Sequence, residues 1–257
     1  MDGLIQAATV AALEPHLGVH IGVYLLALRH PVPVARQIAT LCESAPGRLA
    51  LGVGVGGEDR HEVEICGVDP RTRGRRTDES LVALRGLLSG EPTSHDCEFF
   101  SFEGALIKPA PQPRVPIVIG GRSDAAVRRA GRHGDGYLGV WCSPRRYAEI
   151  LASVSETADR AERGEVDWQH GLQVWVGVDD DRSAARDRLA ATMERMYQVS
   201  FDRFERYSPY GSPDEIAEFL APYAEAGCGT FNVMVVSSSS ERGIDAVAEV
   251  KERLVRR

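Results

Sequence analysis

The chain has little cysteine. Among 257 residues, Cys42, Cys66, Cys97, Cys142 and Cys228 are odd in number and too widely spaced for a CxxC pair or a zinc knuckle, which points to a reducing compartment. It has no run of eighteen apolar residues, so no membrane-spanning helix is expected. Its start, Met1-Asp2-Gly3, lacks the cationic segment of a signal peptide, and a soluble cytoplasmic protein is the expectation. A basic face is also missing. The net charge of −7 argues against a nucleic-acid partner. The cluster Arg71, Arg73, Arg75 and Arg76 runs at once into Asp78 and Glu79 and reads as a solvated loop entering a helix. What is present is a globular composition, 43% hydrophobic and 26% charged, with no break that would divide residues 1–257 into two domains.

Short β-branched runs alternate with longer amphipathic segments. Strands are expected near Val19–Leu25, Arg48–Val55, Val115–Ile119, Gly136–Val140, Leu172–Val178 and Thr230–Val236. Helices are expected at Leu4–Leu13, Pro31–Ser44, Arg75–Leu88, Asp124–Arg132, Pro144–Arg163, Ser183–Val199 and Asp245–Leu254. One more should open at Gly211-Ser212-Pro213-Asp214-Glu215, where a Ser cap, a Pro and two acids fall in order. Residues Glu91 to Arg114, with four prolines, read as an excursion. Serial βα units with near-continuous apolar strands imply an α/β fold with a parallel sheet under helices.

Three segments could carry chemistry. Gly52, Gly54 and Gly57 match GxGxxG, but a dinucleotide site needs a helix at the third glycine and an acid ending the next strand. Glu58 to Arg76 instead contains Gly67, Pro70 and Gly74, and Asp78 falls on a helix. Two readings stay open for these glycines: close packing in a barrel mouth, or close approach of a flat ring or a phosphate to the backbone. Gly120-Gly121-Arg122-Ser123 joins a strand to a helix, which suits either an anion site or an ordinary Ser N-cap. His30, before Pro31, reads as a capping residue or a base. Glu58 is the candidate catalytic acid, and Glu62 a structural acid pairing with an arginine such as Arg76.

The order of motifs resembles the bacterial luciferase-like family of flavin and deazaflavin oxidoreductases. The resemblance rests on Leu28-Arg29-His30-Pro31-Val32, Gly47-Arg48-Leu49 running into Leu51 to Gly56, Pro116 to Gly121 with Ser123, Gly134-Asp135-Gly136-Tyr137, and Gly211 to Ala217 with Glu225-Ala226-Gly227. It implies a (β/α) TIM barrel, here incomplete at the N-terminus with about six of eight strands. It further implies coenzyme F420 or, alternatively, FMN at the C-terminal strand ends. The strand at Val19–Leu25 would end in a bulge, often with a non-proline cis peptide, presenting Tyr24, Leu25 and Leu26 to the ring. Gly54, Val55, Gly56 and Gly57 would line the ring and upper chain, and Gly120, Gly121, Arg122 and Ser123 would hold the phosphate. The implied activity is F420-dependent hydride transfer to or from a small organic substrate by a homodimer. An FMN-dependent monooxygenase and a non-catalytic barrel are the alternatives.

Overall fold

The structure is a computed structural model that describes residues 2–56 and 59–256. The chain divides into two compact units: residues up to Leu138 with Ser153–Trp168, and Gly139–Ala152 with Gln169 onward.

The first unit opens with α1 (Gly3–Leu13), capped by the Asp2 carboxylate, which accepts from the amides of Leu4 at 3.0 Å and Ile5 at 3.1 Å. Arg48 closes the other end of this helix, its guanidinium donating to the carbonyls of Ala11 at 3.1 Å, Glu14 at 2.5 Å and Leu17 at 2.7 Å. Strand β1 (Val19–Leu25) leads through a short turn into α2 (Pro31–Ser44). Here Pro31 is pre-set for the first turn, and Val34, Ile38 and Leu41 form the buried stripe expected from their spacing. Ile38 is fully buried, and a side chain of that size contributes roughly 1.5–3 kcal/mol by leaving water.

β2 (Leu49–Gly54), α3 (Arg60–Ile65) and α4 (Arg73–Leu87) follow. The sequence pattern does not show α3: it is six residues long, with its start set by Asp59 accepting from the His61 amide at 2.8 Å. The Glu91–Arg114 excursion contains an antiparallel hairpin, β3 (Thr93–Asp96) with β4 (Ser101–Ala105), and cis bonds before Pro109 and Pro113. β5 (Ile117–Gly120), α5 (Asp124–His133), β6 (Gly136–Val140) and α6 (Pro144–Arg160) resume the alternation. α6 stops short of the expected Arg163 because Glu162 and Gly164 take left-handed φ angles of 52° and 69°.

In this unit β1 pairs with β2, β2 with β5, and β5 with β6, all in parallel. One carboxylate ties the layers together. Asp135, 3% exposed, accepts from the Ile117 amide at 2.8 Å, from Arg114 at 2.5 Å and from Arg85 of α4. Arg163 donates to the carbonyls of Gly131 and Gly134, each at 2.7 Å.

The second unit holds β7 (Gly171–Val178), α7 (Arg182–Tyr197), β8 (Tyr210–Gly211), α8 (Pro213–Glu225), β9 (Thr230–Val236) and α9 (Ser240–Val255). β7 and β9 pair in parallel from Gly171 opposite Thr230 to Gly177 opposite Val236. β8 is two residues long, too short to leave a pattern in the sequence. α9 starts five residues before the expected Asp245 because Ser239 caps it, accepting from the Arg242 amide at 3.2 Å. α8 opens with the expected Ser212 cap, completed by Glu215, which accepts back from the Ser212 amide at 2.9 Å. Trp175, Leu189, Met193 and Phe201 form a buried cluster, with Trp175 Nε1 donating to the Tyr197 hydroxyl at 3.0 Å.

Candidate functional site

The candidate site lies within the first unit and starts from an irregularity in β1. The ladder with β2 runs Val19 to Leu49, His20 to Ala50 and Ile21 to Leu51, then resumes at Tyr24 to Val53. Three steps on β1 thus face two on β2, a bulge, and the peptide between Gly22 and Val23 inside it is cis. The bulge therefore falls ahead of the Tyr24-Leu25-Leu26 segment expected to form it.

The extra residue lays Val23 across the neighbouring strands. A β-carbon at Gly54 would lie 2.5 Å from Val23 Cγ2, and one at Gly120 would lie 2.9 Å from Val23 Cγ1. At Gly52 it would lie 2.1 Å from the Ile21 carbonyl oxygen. All three separations are far inside van der Waals contact, so each position needs glycine. Of the two readings open for Gly52 and Gly54, these separations support packing against the protein's own bulge; Gly120, from the strand-to-helix turn, packs against the same Val23. Gly56, at φ 68°, sits under Leu25, whose methyl carbons would be 3.4 Å from an added β-carbon. Val55 beside it is half-buried.

A cavity of about 800 Å³ runs along β1, lined by Val19 to Leu25 and by Gln6, Arg29, Glu62 and Cys66 among others. His20 lines it, and its Nε2 is buried with no hydrogen-bond partner. Burial holds the His20 imidazole below its ordinary pKa, so the ring is neutral at pH 7. Arg29 supplies a cation at the wall: it donates to Asp2 at 2.8 Å and lies 4.6 Å over the Tyr24 ring. Tyr24 is 3% exposed beneath it, its ring directed toward Gly3 of α1.

The turn after β5 forms the cap of α5. Ser123 caps α5, its hydroxyl oxygen accepting from the Ala126 amide at 3.3 Å. Gly121 has φ 135°, and its carbonyl accepts from the Tyr137 hydroxyl at 2.8 Å. Arg122 and Ser123 are exposed at the head of this ten-residue helix, where amides and the helix dipole favour an anion.

The structure thus brings Gly54 and Gly120 together around Val23 and places Tyr24 and Leu25 at the cavity. Leu26 is fully buried in the turn that follows. Gly57 and the expected acid Glu58 lie outside the described residues. Glu62 lines the cavity, whereas Arg76, its expected partner, donates to the Ala27 carbonyl at 2.7 Å and lies 4.6 Å over Phe100. His30 is a cap, its Nδ1 accepting from the Val32 amide at 3.3 Å. His20 escaped the sequence reading; its only signal there is a lone imidazole inside the largely apolar run Val19–Leu25.

Among the described residues no helix is long and apolar enough to cross a membrane. The chain is 30% identical over 238 residues to an F420-dependent glucose-6-phosphate dehydrogenase of Rhodococcus jostii, covering 87% of this chain and 65% of that protein. It is 31% identical over 161 residues to an uncharacterized protein of Mycobacterium tuberculosis, covering 63% of this chain and 55% of that one. The chain therefore spans about 55 to 66% of the length of such curated relatives. Among solved structures, an F420-dependent secondary alcohol dehydrogenase in complex with an F420-acetone adduct superposes with a TM-score of 0.87 at 22% identity, covering 99% of this chain and 84% of that one. The monooxygenase RslO1 from Streptomyces bottropensis gives 0.84 at 21%, covering 99% and 82%. These likenesses show a shared fold, the luciferase-like barrel type. The family model of luciferase-like monooxygenases matches residues 1–230, and the chain belongs to that family.

Proposed function

We propose that this protein is an oxidoreductase that binds coenzyme F420 and transfers a hydride to or from a small organic substrate. The observation that carries the reading is the β1 bulge, which sets Val23 against Gly54 and Gly120 beside a cavity of about 800 Å³. That volume falls in the range of small-molecule and cofactor sites. The buried, unpartnered Nε2 of His20 fits a polar heterocycle, whose edge would complete its hydrogen bonding. Relatives named as F420-dependent enzymes support the choice of cofactor.

Bound there, F420 would supply a two-electron hydride carrier, and the chain's residues position it and adjust the charge around it. Val23 and Leu25 give an apolar wall; His20 offers a neutral imidazole to hold or relay a proton. Arg29 would add a guanidinium at the cavity wall, its charge shared with Asp2 at 2.8 Å. Glu62 is the described acid at the cavity, and Glu58, outside the described residues, remains a candidate acid from the sequence alone. Gly121, Arg122 and Ser123, following Gly120, would hold the phosphate at the head of α5. The working form is a cytoplasmic homodimer.

The test is titration of the purified chain with F420 and with FMN, followed by fluorescence, in the parent and in Arg122→Ala and Ser123→Gly. Glycine costs an N-cap only a few tenths of a kcal/mol, so the second change removes the hydroxyl and largely spares the helix. Saturable F420 binding weakened by both changes is the expected result. Tighter FMN binding would move the assignment to an FMN enzyme, and no binding of either by folded protein would overturn it. Light scattering reads the dimer separately.

A further inference from the structure

Outside the cavity, the β3–β4 hairpin meets α4 at a mixed set of donor atoms. Glu79 is on α4, His95 on β3, and Cys97 directly after β3. A carboxylate oxygen of Glu79, an imidazole nitrogen of His95 and the thiol sulfur of Cys97 all lie within 4.8 Å of one another. The arrangement is anchored by backbone. The two Glu79 oxygens accept from the amides of Glu98 and Phe99, each at 3.0 Å, and the Cys97 amide donates to the Phe100 carbonyl at 3.1 Å. His95 is stacked on Phe102 with centroids 5.8 Å apart, fixing the ring.

Two features point to a ligand. The Nε2 of His95 is buried and has no hydrogen-bond partner, an arrangement that costs free energy unless something occupies it. The neighbouring cation Arg75 is engaged by Glu98 at 2.9 Å, so among the described residues no ion pair balances the Glu79 carboxylate. One carboxylate, one imidazole and one thiolate suit a borderline-soft divalent ion. An all-oxygen site would favour magnesium or calcium.

We propose that Glu79, His95 and Cys97 form a three-ligand site for a zinc-class divalent cation, with water in the fourth position. Bonds of about 2.0–2.3 Å place tetrahedral ligand atoms roughly 3.3–3.6 Å apart, and the exposed Cys97 side chain closes the remaining gap by rotation. Metal entry releases the thiol proton to solvent and joins the hairpin to α4 across residues 79 to 97.

The test uses the full chain, chelator-treated and reduced, titrated with cobalt(II) as a spectroscopic probe and then with zinc(II). Expected are one equivalent of cobalt, visible bands of tetrahedral coordination, and a near-ultraviolet thiolate-to-cobalt band that zinc abolishes. Cys97→Ser, exposed and harmless to packing, should remove the thiolate band and weaken binding at least about tenfold. His95→Asn should weaken binding comparably, with circular dichroism unchanged, while Cys66→Ser, which alters the other exposed thiol, should leave the spectrum intact. Absence of the thiolate band in the parent, its persistence in Cys97→Ser, or its loss in Cys66→Ser would overturn the proposal.

Discussion

Val23 lies directly against the Cα of Gly54, so closely that a β-carbon there would stand 2.5 Å from Val23 Cγ2. Gly54→Ala should therefore destabilise the protein by about 1–3 kcal/mol, the usual cost of overpacking. Val23→Ala in the same chain should restore part of that loss. Urea unfolding of the two single variants and the double variant reads the coupling, and strict additivity would show that the two sites do not touch.

Asp135 should be the costliest single polar position in the first unit. It is 3% exposed and receives Arg85, Arg114 and the Ile117 amide. Asp135→Asn strands the largely buried Arg85 and is expected to cost about 3–5 kcal/mol. Arg114→Ala, with its side chain 65% exposed, should cost less than about 1 kcal/mol in the same denaturant series.

Acid should destabilise the fold well before the carboxylates titrate. Burial pushes His170 down from 6.5 to about 4, and burial also lowers His20 and His133. Between pH 6.5 and about 4 the unfolded chain binds a proton at position 170 that the folded chain does not. Stability therefore rises with pH through this window, is complete above 6.5, and falls as pH drops. The loss from His170 alone is up to about 3 kcal/mol. His170→Gln should flatten the slope of unfolding free energy against pH, and an unchanged slope would rule out His170 as its source.

The α8 cap is a more local test. Ser212→Ala removes the hydroxyl from a reciprocal pair with Glu215 and should cost about 1 kcal/mol, read as a shift in urea midpoint with no change of slope.

How far the sequence reached depends on the range of the forces involved. α2 was readable to the residue because Pro31, the His30 cap and the Val34, Ile38, Leu41 stripe are local signals. The six expected strands are present as β1, β2, β5, β6, β7 and β9 for the same reason: each is a compact apolar run. α3 and β8 were missed because six residues of helix or two of strand leave no period to detect. The site was less legible. Gly52, Gly54 and Gly120 stood out in the chain, but what each touches, the Ile21 carbonyl or Val23, depends on a register shift between two strands that no spacing records. His20 carries its significance only through an unpartnered nitrogen, which is a property of three-dimensional packing.

The first unit is discontinuous, and that bears on how it can be assembled or cut. Its residues 153–168 arrive after a stretch that belongs to the other unit, yet Arg163 closes onto the carbonyls of Gly131 and Gly134. During synthesis the sheet β1-β2-β5-β6 can be complete in sequence while these two carbonyls still face solvent. A fragment ending at Leu138 would lack that clasp for good, so a stable piece released by limited proteolysis has to carry the chain through Trp168.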